Sequence, residues 1–155
     1  MSKKTKRKEK VIGKKKTRLS ENANSFMSKT PVWKFDRVDF NHETWNIENC
    51  DVLKEQLFKK MKSLEGQTWF EIDKKSNGKH HFIPIDNLIK SAQTRAEEIR
   101  ISEYEELYSL RLTGTLRLFG ILENGEYSLV WYDSGHEICP SQKNIHKIKA
   151  SIPPP

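Results

Sequence analysis

The spacing of apolar residues predicts two helices. Between positions 49 and 64 apolar residues recur every three or four positions with lysines and glutamates between them, which is the period of an amphipathic helix, and Gly66 ends it. Its apolar stripe consists of Leu53, Leu57, Met61 and Leu64. Asp86 can cap a second helix. The stripe of that helix consists of Leu88 or Ile89, Ala92, Ala96 and Ile99.

Alternating apolar and polar positions predict strands in the last third of the chain. The runs 107–112, 116–122 and 127–133 alternate, and Asn124-Gly125 between the last two favours a type I′ hairpin. Thr113-Gly114 joins the first two runs. The pattern therefore predicts an antiparallel β-meander with the helices covering one of its faces.

Three further runs have the composition of strands. Residues 32–35 are aromatic and β-branched, and the extended runs 68–72 and 80–85 flank a polar loop that contains Asn77-Gly78. The last two runs are interpreted as another hairpin. The fold class expected from all these elements is α+β, with two helices packed on a small antiparallel meander.

The chain of 155 residues suits one domain. We expect a disordered arm and linker over 1–30, a single α+β domain over 31–150 and a Pro-rich tail over 151–155. No stretch has the roughly 18 apolar residues of a membrane span, and no apolar segment follows the basic N-terminus, so neither membrane insertion nor secretion is expected. Cys50 and Cys139 have no partner motif and are interpreted as reduced thiols, which favours a cytoplasmic location.

The net charge of +7 is distributed unevenly. Residues 1–18 contain ten basic residues and one acidic residue, which leaves 18 basic and 20 acidic residues in the rest of the chain. Such an arm favours a polyanionic partner held through phosphate contacts, although a solubility tail is the simpler alternative. The candidate nucleic-acid-binding residues are Lys3, Lys4, Lys6, Arg7, Lys8, Lys10, Lys14, Lys15, Lys16 and Arg18.

The meander carries four short motifs in order. They are SLRL at 109–112, LRLF at 116–119, ENG at 123–125 and WYDSGH at 131–136. Over residues 108–138 this order resembles the C-terminal meander of the RelE/ParE superfamily, which contains small toxins of bacterial toxin–antitoxin pairs, including the HigB and YoeB branches. The resemblance implies an RNA-binding, toxin-like protein that is a metal-independent endoribonuclease (an mRNA interferase), with RNA or the ribosome and an antitoxin protein as partners.

The resemblance also implies roles for individual residues. A 2′-hydroxyl attacks the adjacent phosphodiester, and the enzyme must move protons and stabilise the charge on the phosphate. Arg117 matches the phosphate-holding arginine of the second strand, and His136 matches the general acid after the last strand. Arg111 is a weaker candidate for phosphate contact and Tyr132 for base stacking. The alternatives are a solvated or ion-paired strand arginine for Arg117 and a histidine that bonds its own turn for His136.

Other chemistries lack a motif. No histidine or cysteine pair has zinc spacing, and no phosphate-cradling glycine loop is present, so we expect no metal and no small-molecule cofactor. His80 and His81 are neighbours that would point to opposite faces of a strand. Two alternatives to a nuclease stay open: a non-catalytic nucleic-acid-binding protein, and an interaction protein that binds another chain at an exposed edge of the meander.

Overall fold

The computed structural model describes residues 26–50 and 54–140. Within these ranges the chain forms three α-helices, α1 (Lys54–Glu65), α2 (Trp69–Ser76) and α3 (Lys90–Glu98). It also forms five strands, which are β1 (Val32–Lys34), β2 (His81–Pro84), β3 (Glu106–Thr113), β4 (Leu116–Glu123) and β5 (Glu126–Asp133). The fold is α+β, as the sequence predicts. None of the helices in the described ranges is long and apolar enough to cross a membrane.

The predicted meander forms the centre of a five-stranded mixed sheet. The strand order is β1-β5-β4-β3-β2, and each neighbouring pair is antiparallel except β1 and β5, which run parallel. Asn124 and Gly125 have φ of 53° and 86°, so both central residues of the β4–β5 hairpin have the positive φ that a type I′ turn requires. The meander and its second hairpin are therefore confirmed.

Both edges of the meander are covered by other parts of the chain. β1 pairs with residues 126–128 of β5, and farther along β5 the loop between β1 and α1 supplies two more backbone hydrogen bonds, from Asp39 N to Val130 O and from Tyr132 N to Trp45 O. β2 pairs with residues 106–109 of β3. The exposed meander edge expected for an interaction protein is thus occupied along β5, and on β3 only residues beyond 109 extend past their neighbour.

Helices cover both faces of the sheet, which corrects the expectation of a single covered face. One core contains Leu57 and Met61 of α1 with Trp69 of α2, and the other contains Ala92 and Ala96 of α3. Neighbouring strand residues alternate between these cores, as Leu118 and Phe119 do in β4. The sheet is therefore the middle of three layers. We refer to its two sides as the α1 face and the α3 face.

The hairpin predicted around Asn77-Gly78 is wrong, because its first arm is helix α2. Thr68 accepts a hydrogen bond from Glu71 N at 3.3 Å while Glu71 accepts one from Thr68 N at 2.8 Å, which is a complete capping box. Asn77 ends the helix in the left-handed conformation, with φ of 53°. The second arm does form a strand, β2, but it pairs with β3.

The second predicted helix forms with a different start. α3 begins at Lys90 after Ile89, and no side chain caps it. Asp86, the expected cap, lies in a short 3₁₀ turn, Ile85–Asn87. Within the helix the predicted stripe is confirmed at Ala92 and Ala96, which are buried, whereas Leu88 is buried but lies before α3.

Residues immediately before β1 pack against the domain. Phe26 is buried in the α1-face core, and the carbonyls of Met27 and Lys29 accept hydrogen bonds from Phe70 N and Trp69 N, both at 2.9 Å. This segment, placed in the linker by the sequence, therefore anchors the start of α2. The basic arm over 1–18 and the Pro-rich tail over 151–155 lie outside the described residues.

Candidate nucleic-acid interface

Two arginines lie directly opposite each other in the sheet. Arg111 of β3 is the cross-strand partner of Arg117 of β4, and both lie on the α3 face because Arg117 is two residues before Phe119. Like charges directly opposite each other destabilise a sheet. Neither guanidinium forms an ion pair with any residue in 26–50 or 54–140. By contrast, Arg95 on α3 binds the buried carboxylate of Asp39 at 2.7 and 2.8 Å.

The guanidinium of Arg117 is held by the backbone of the β3–β4 turn. Its Nη1 donates to the carbonyl of Gly114 at 2.8 Å and to that of Leu116 at 3.2 Å. Partial burial and the charge of Arg111 lower the pKa of Arg117, and Asp133 opposes this shift. The turn therefore fixes one side of the guanidinium, while Nε and Nη2 have no hydrogen-bond partner among the described residues. Two such donors match the oxygens of one phosphate.

The loop after β5 brings His136 to the same end of the sheet. Asp133 is buried, and its two carboxylate oxygens accept hydrogen bonds from Glu137 N at 3.0 Å and Ile138 N at 2.9 Å. Thr115 Oγ1 donates to Ser134 O at 2.7 Å, which ties this loop to the β3–β4 turn. The loop thus holds His136 with a φ of 56°, a backbone conformation that residues other than glycine rarely adopt.

The charges of the two arginines act on His136. Burial, followed by the charge of Arg117, lowers the pKa of His136; Arg111 and His81 lower it further, and only Asp133 raises it. An imidazole with a pKa below 6.5 is mainly neutral at pH 7 and is able to accept a proton. Arg117 and Arg111 are cross-strand partners, and the loop of His136 is tied to the turn between their strands, so the three residues that sequence reasoning selected together lie at the same end of the sheet.

His81 belongs to this group, although sequence reasoning did not assign it a role. It is exposed on β2, opposite Ser109, and shares the α3 face with Ile83 two residues later. The pattern of a strand beginning at position 80 would have indicated this face. We call His81, Arg111, Arg117 and His136 the basic patch.

His80 points the other way and connects β2 to β3. Its Nδ1 accepts a hydrogen bond from the backbone N–H of Arg111 at 3.0 Å, just beyond the last β2–β3 pair. Burial lowers the pKa of His80 to about 4, and the positive charges of Lys60, Arg117, His81 and Arg111 contribute. The opposite orientations predicted for His80 and His81 agree with this geometry.

Tyr132 does not belong to the patch. It lies opposite Leu118 in the α1-face core and is only 5% exposed. Burial and a hydrogen bond with Cys50 raise the pKa of Tyr132. A buried phenol on the α1 face is not in a position to stack on a base bound at the α3 face.

The remaining predicted binding residues, Lys3 to Arg18 of the arm, lie outside the described residues. In 26–50 and 54–140 no group of three or more histidine, cysteine or acidic side chains is arranged to hold a metal ion. Comparison with known proteins finds no matching family model, no similar curated protein and no similar solved structure. The relation to the RelE/ParE superfamily thus stays a prediction from the sequence.

Proposed function

We propose that the protein binds RNA through its phosphate backbone at the basic patch. The observation that carries this proposal is the cross-strand pair of Arg111 and Arg117, neither of which forms an ion pair in the described residues, although Asp133 faces Arg117 from β5 and accepts backbone hydrogen bonds instead. Placing two unpaired cations opposite each other destabilises the free protein slightly. A bound phosphate removes that repulsion and accepts hydrogen bonds from the unused N–H groups.

The basic arm supports the same proposal from the sequence. Its ten lysines and arginines supply sequence-independent affinity for a polyanion, whereas the patch supplies a fixed phosphate position. Deletion of residues 1–18 is expected to leave the core stability unchanged and to weaken RNA binding most at low salt. Tight binding by the truncated chain at equal salt would show that the arm is not an anion-binding element.

The test of the patch is the salt dependence of RNA binding by single variants. Arg117→Gln removes one phosphate contact, so we expect the affinity to fall roughly fivefold to tenfold and the slope of log K against log salt to decrease by about one. Arg100→Gln is the matched control, because Arg100 is an exposed arginine just after α3. If Arg117→Gln binds RNA with the affinity and the salt slope of the wild type, the proposal is overturned. Parallel titrations with DNA of the same sequence test the choice of RNA.

A second candidate, metal-independent RNA cleavage, is favoured by the pair of histidines in the basic patch. Neutral His136 removes the proton of a 2′-hydroxyl, the resulting 2′-oxygen attacks the adjacent phosphorus, and the bond to the 5′-oxygen breaks as His81, acting as the general acid, donates a proton to it. Arg111 and Arg117 stabilise the phosphate charge that develops. The lowered pKa of His136 suits the base, so this assignment reverses the acid role that the resemblance implies.

Cleavage is tested with RNA oligonucleotides in the presence of EDTA. His136→Ala and His81→Ala are each expected to slow cleavage by roughly two to three orders of magnitude. Neither is expected to abolish RNA binding, since the arginines remain. Expression in bacteria tests the toxin hypothesis, which predicts growth arrest, cleaved mRNA and rescue by an antitoxin. A wild-type protein that binds RNA but leaves it intact, both free and on ribosomes, would leave the binding function alone.

A further inference from the structure

A second basic surface lies on the opposite side of the β3 edge. It is a cleft of about 410 Å³ between α1, α2 and the end of β3. Four of its lining residues carry a positive charge and none is acidic. The charged residues are Lys60, Lys75, Lys79 and Arg111, which lies at the sheet edge with its side chain on the α3 face. We call it the α1–α2 cleft; it shares only Arg111 with the basic patch.

The cleft combines an apolar base with a charged rim. Leu64, Ile72 and Leu112 are buried, whereas Lys75 and Lys79 are exposed, so the charged residues lie on the solvent side of the cleft. Lys75 Nζ donates to Gln67 Oε1 at 3.1 Å, which holds one lysine at the rim. No carboxylate among the described residues forms an ion pair with these lysines. In contrast, Lys59, the residue before Lys60, pairs with Glu55 at 2.6 Å.

His80 adds a neutral donor to the cleft. Because its Nδ1 accepts the hydrogen bond from Arg111 N, the proton of the neutral ring must lie on Nε2. His80 is among the residues that line the cleft, and its Nε2 has no hydrogen-bond partner in 26–50 or 54–140. A buried ring that stays neutral near four cations presents an N–H group without adding charge repulsion. Such a donor suits an anion.

We propose that the α1–α2 cleft binds a phosphate monoester. The monoester is a dianion near neutral pH with three terminal oxygens, and converging lysines bind it as point charges. The lining contains no phenylalanine, tyrosine or tryptophan, and its one aromatic ring, the imidazole of His80, is buried, so the cleft lacks an open ring surface for stacking a base. The ligand is therefore recognised by its phosphate, carried either by the 5′ end of an RNA or by a free phosphorylated small molecule.

The first experiment uses inorganic phosphate as the probe on the full chain. Backbone amide signals around residues 60, 75 and 79 are followed by NMR during titration at constant ionic strength, with chloride as the reference anion. We expect a saturable shift with phosphate that chloride does not produce. Shifts that are linear, or equal for both anions, would overturn the proposal, because they would indicate charge screening alone.

A matched pair of double variants tests the location. Lys60→Gln with Lys75→Gln removes two cleft charges, one from each helix, and is expected to weaken phosphate binding roughly tenfold or more. Lys62→Gln with Lys74→Gln removes the same charge from exposed positions on the same helices that do not line the cleft, and is expected to bind as the wild type does. Equally weakened phosphate binding in both variants would overturn the proposed location. Urea unfolding checks that both variants are folded.

The source of the phosphate is distinguished with two RNA oligonucleotides that differ only in a 5′-phosphate or a 5′-hydroxyl. If the RNA end is the ligand, the 5′-phosphate form binds at least fivefold more tightly, and the cleft variant loses that difference while keeping the contribution of Arg117. If both RNAs bind equally while inorganic phosphate still saturates the cleft, the ligand is a phosphorylated small molecule. Loss of RNA binding in Arg117→Gln without loss of phosphate binding separates this proposal from the proposed RNA interface.

Discussion

Acidification is expected to destabilise the fold through His80. The ring is 8% exposed, and Nδ1 accepts the N–H of Arg111 at 3.0 Å. Protonation of Nδ1 turns the acceptor into a donor that faces the N–H of Arg111, so this hydrogen bond is lost. Protonation also places a buried positive charge near Lys60 and Arg117. Burial and these charges give His80 a pKa of about 4 in the folded protein.

The size and sign of the effect follow from the difference between the folded and unfolded pKa of His80. In the unfolded chain the pKa is about 6.5, so between pH 6.5 and 4 the unfolded state binds more protons. The stabilisation is therefore complete above about pH 6.5 and decreases as the pH falls towards 4. A difference of about 2.5 units corresponds to roughly 3 kcal/mol, at about 1.4 kcal/mol for each unit.

The assay is urea unfolding of the wild type and His80→Asn at several pH values between 7 and 4. Asparagine places its Oδ1 close to the position of Nδ1, so it is able to accept the same N–H without titrating. The free energy of unfolding is expected to fall by roughly 2–3 kcal/mol more in the wild type than in the variant. Other titrating groups, including Asp39, are common to both proteins and cancel. Parallel curves for the wild type and His80→Asn would refute the reasoning.

Three substitutions test the supports of the patch and the sheet by urea unfolding. Asp133→Asn keeps one of the two backbone hydrogen bonds, and we expect it to lower the free energy of unfolding by about 2–4 kcal/mol. Glu137→Gln in the same loop should lower it by less than about 0.5 kcal/mol. Gly120→Ala should cost about 2 kcal/mol or more, because a Cβ would lie 2.6 Å from both Ser128 O and the ring of Tyr127; a neutral result would contradict this packing. Gly125→Val should cost over about 1 kcal/mol at its φ of 86°, and unchanged stability would argue against the type I′ turn.

Elements whose signal is local were predictable from the sequence. The period of α1 and the alternation of the meander each span more than seven residues, and Asn124-Gly125 defines the turn between its last two strands. Helix α2 was missed for a local reason, since Thr68 and Glu71 have the spacing of a capping box but the neighbouring tryptophan, phenylalanine and isoleucine suggested a strand.

Long-range pairing was not predictable from periodicity. Nothing local in residues 32–34 specifies a parallel partner almost a hundred positions later. The coverage of both faces did have a signal, because residues 129–133 of β5 are mostly apolar and all buried, as in a strand with packing on each side.

The candidate site was predictable in part. Arg111, Arg117 and His136 follow from the strand pattern and the resemblance, since all three lie at the same end of adjacent elements. Lys60 is one of the lysines between the apolar positions of α1, and no motif in the sequence assigns it a role. Its place in the α1–α2 cleft depends on how α1 and α2 pack against β3, which no sequence period specifies.

The parallel pairing of β1 with β5 sets an order for folding during synthesis. Val32 pairs with Glu126 and Trp33 with Tyr127, so the first strand made has no partner in the sheet until the last strand has left the ribosome. Until then Trp33, which packs edge-on against Trp69 and Tyr127, lacks at least one of these rings. Closing so long a loop is slow compared with forming the β4–β5 hairpin. During synthesis β2, β3 and β4 are therefore available to pair before β5 emerges, and we expect the attachment of β1 to β5 to complete the sheet.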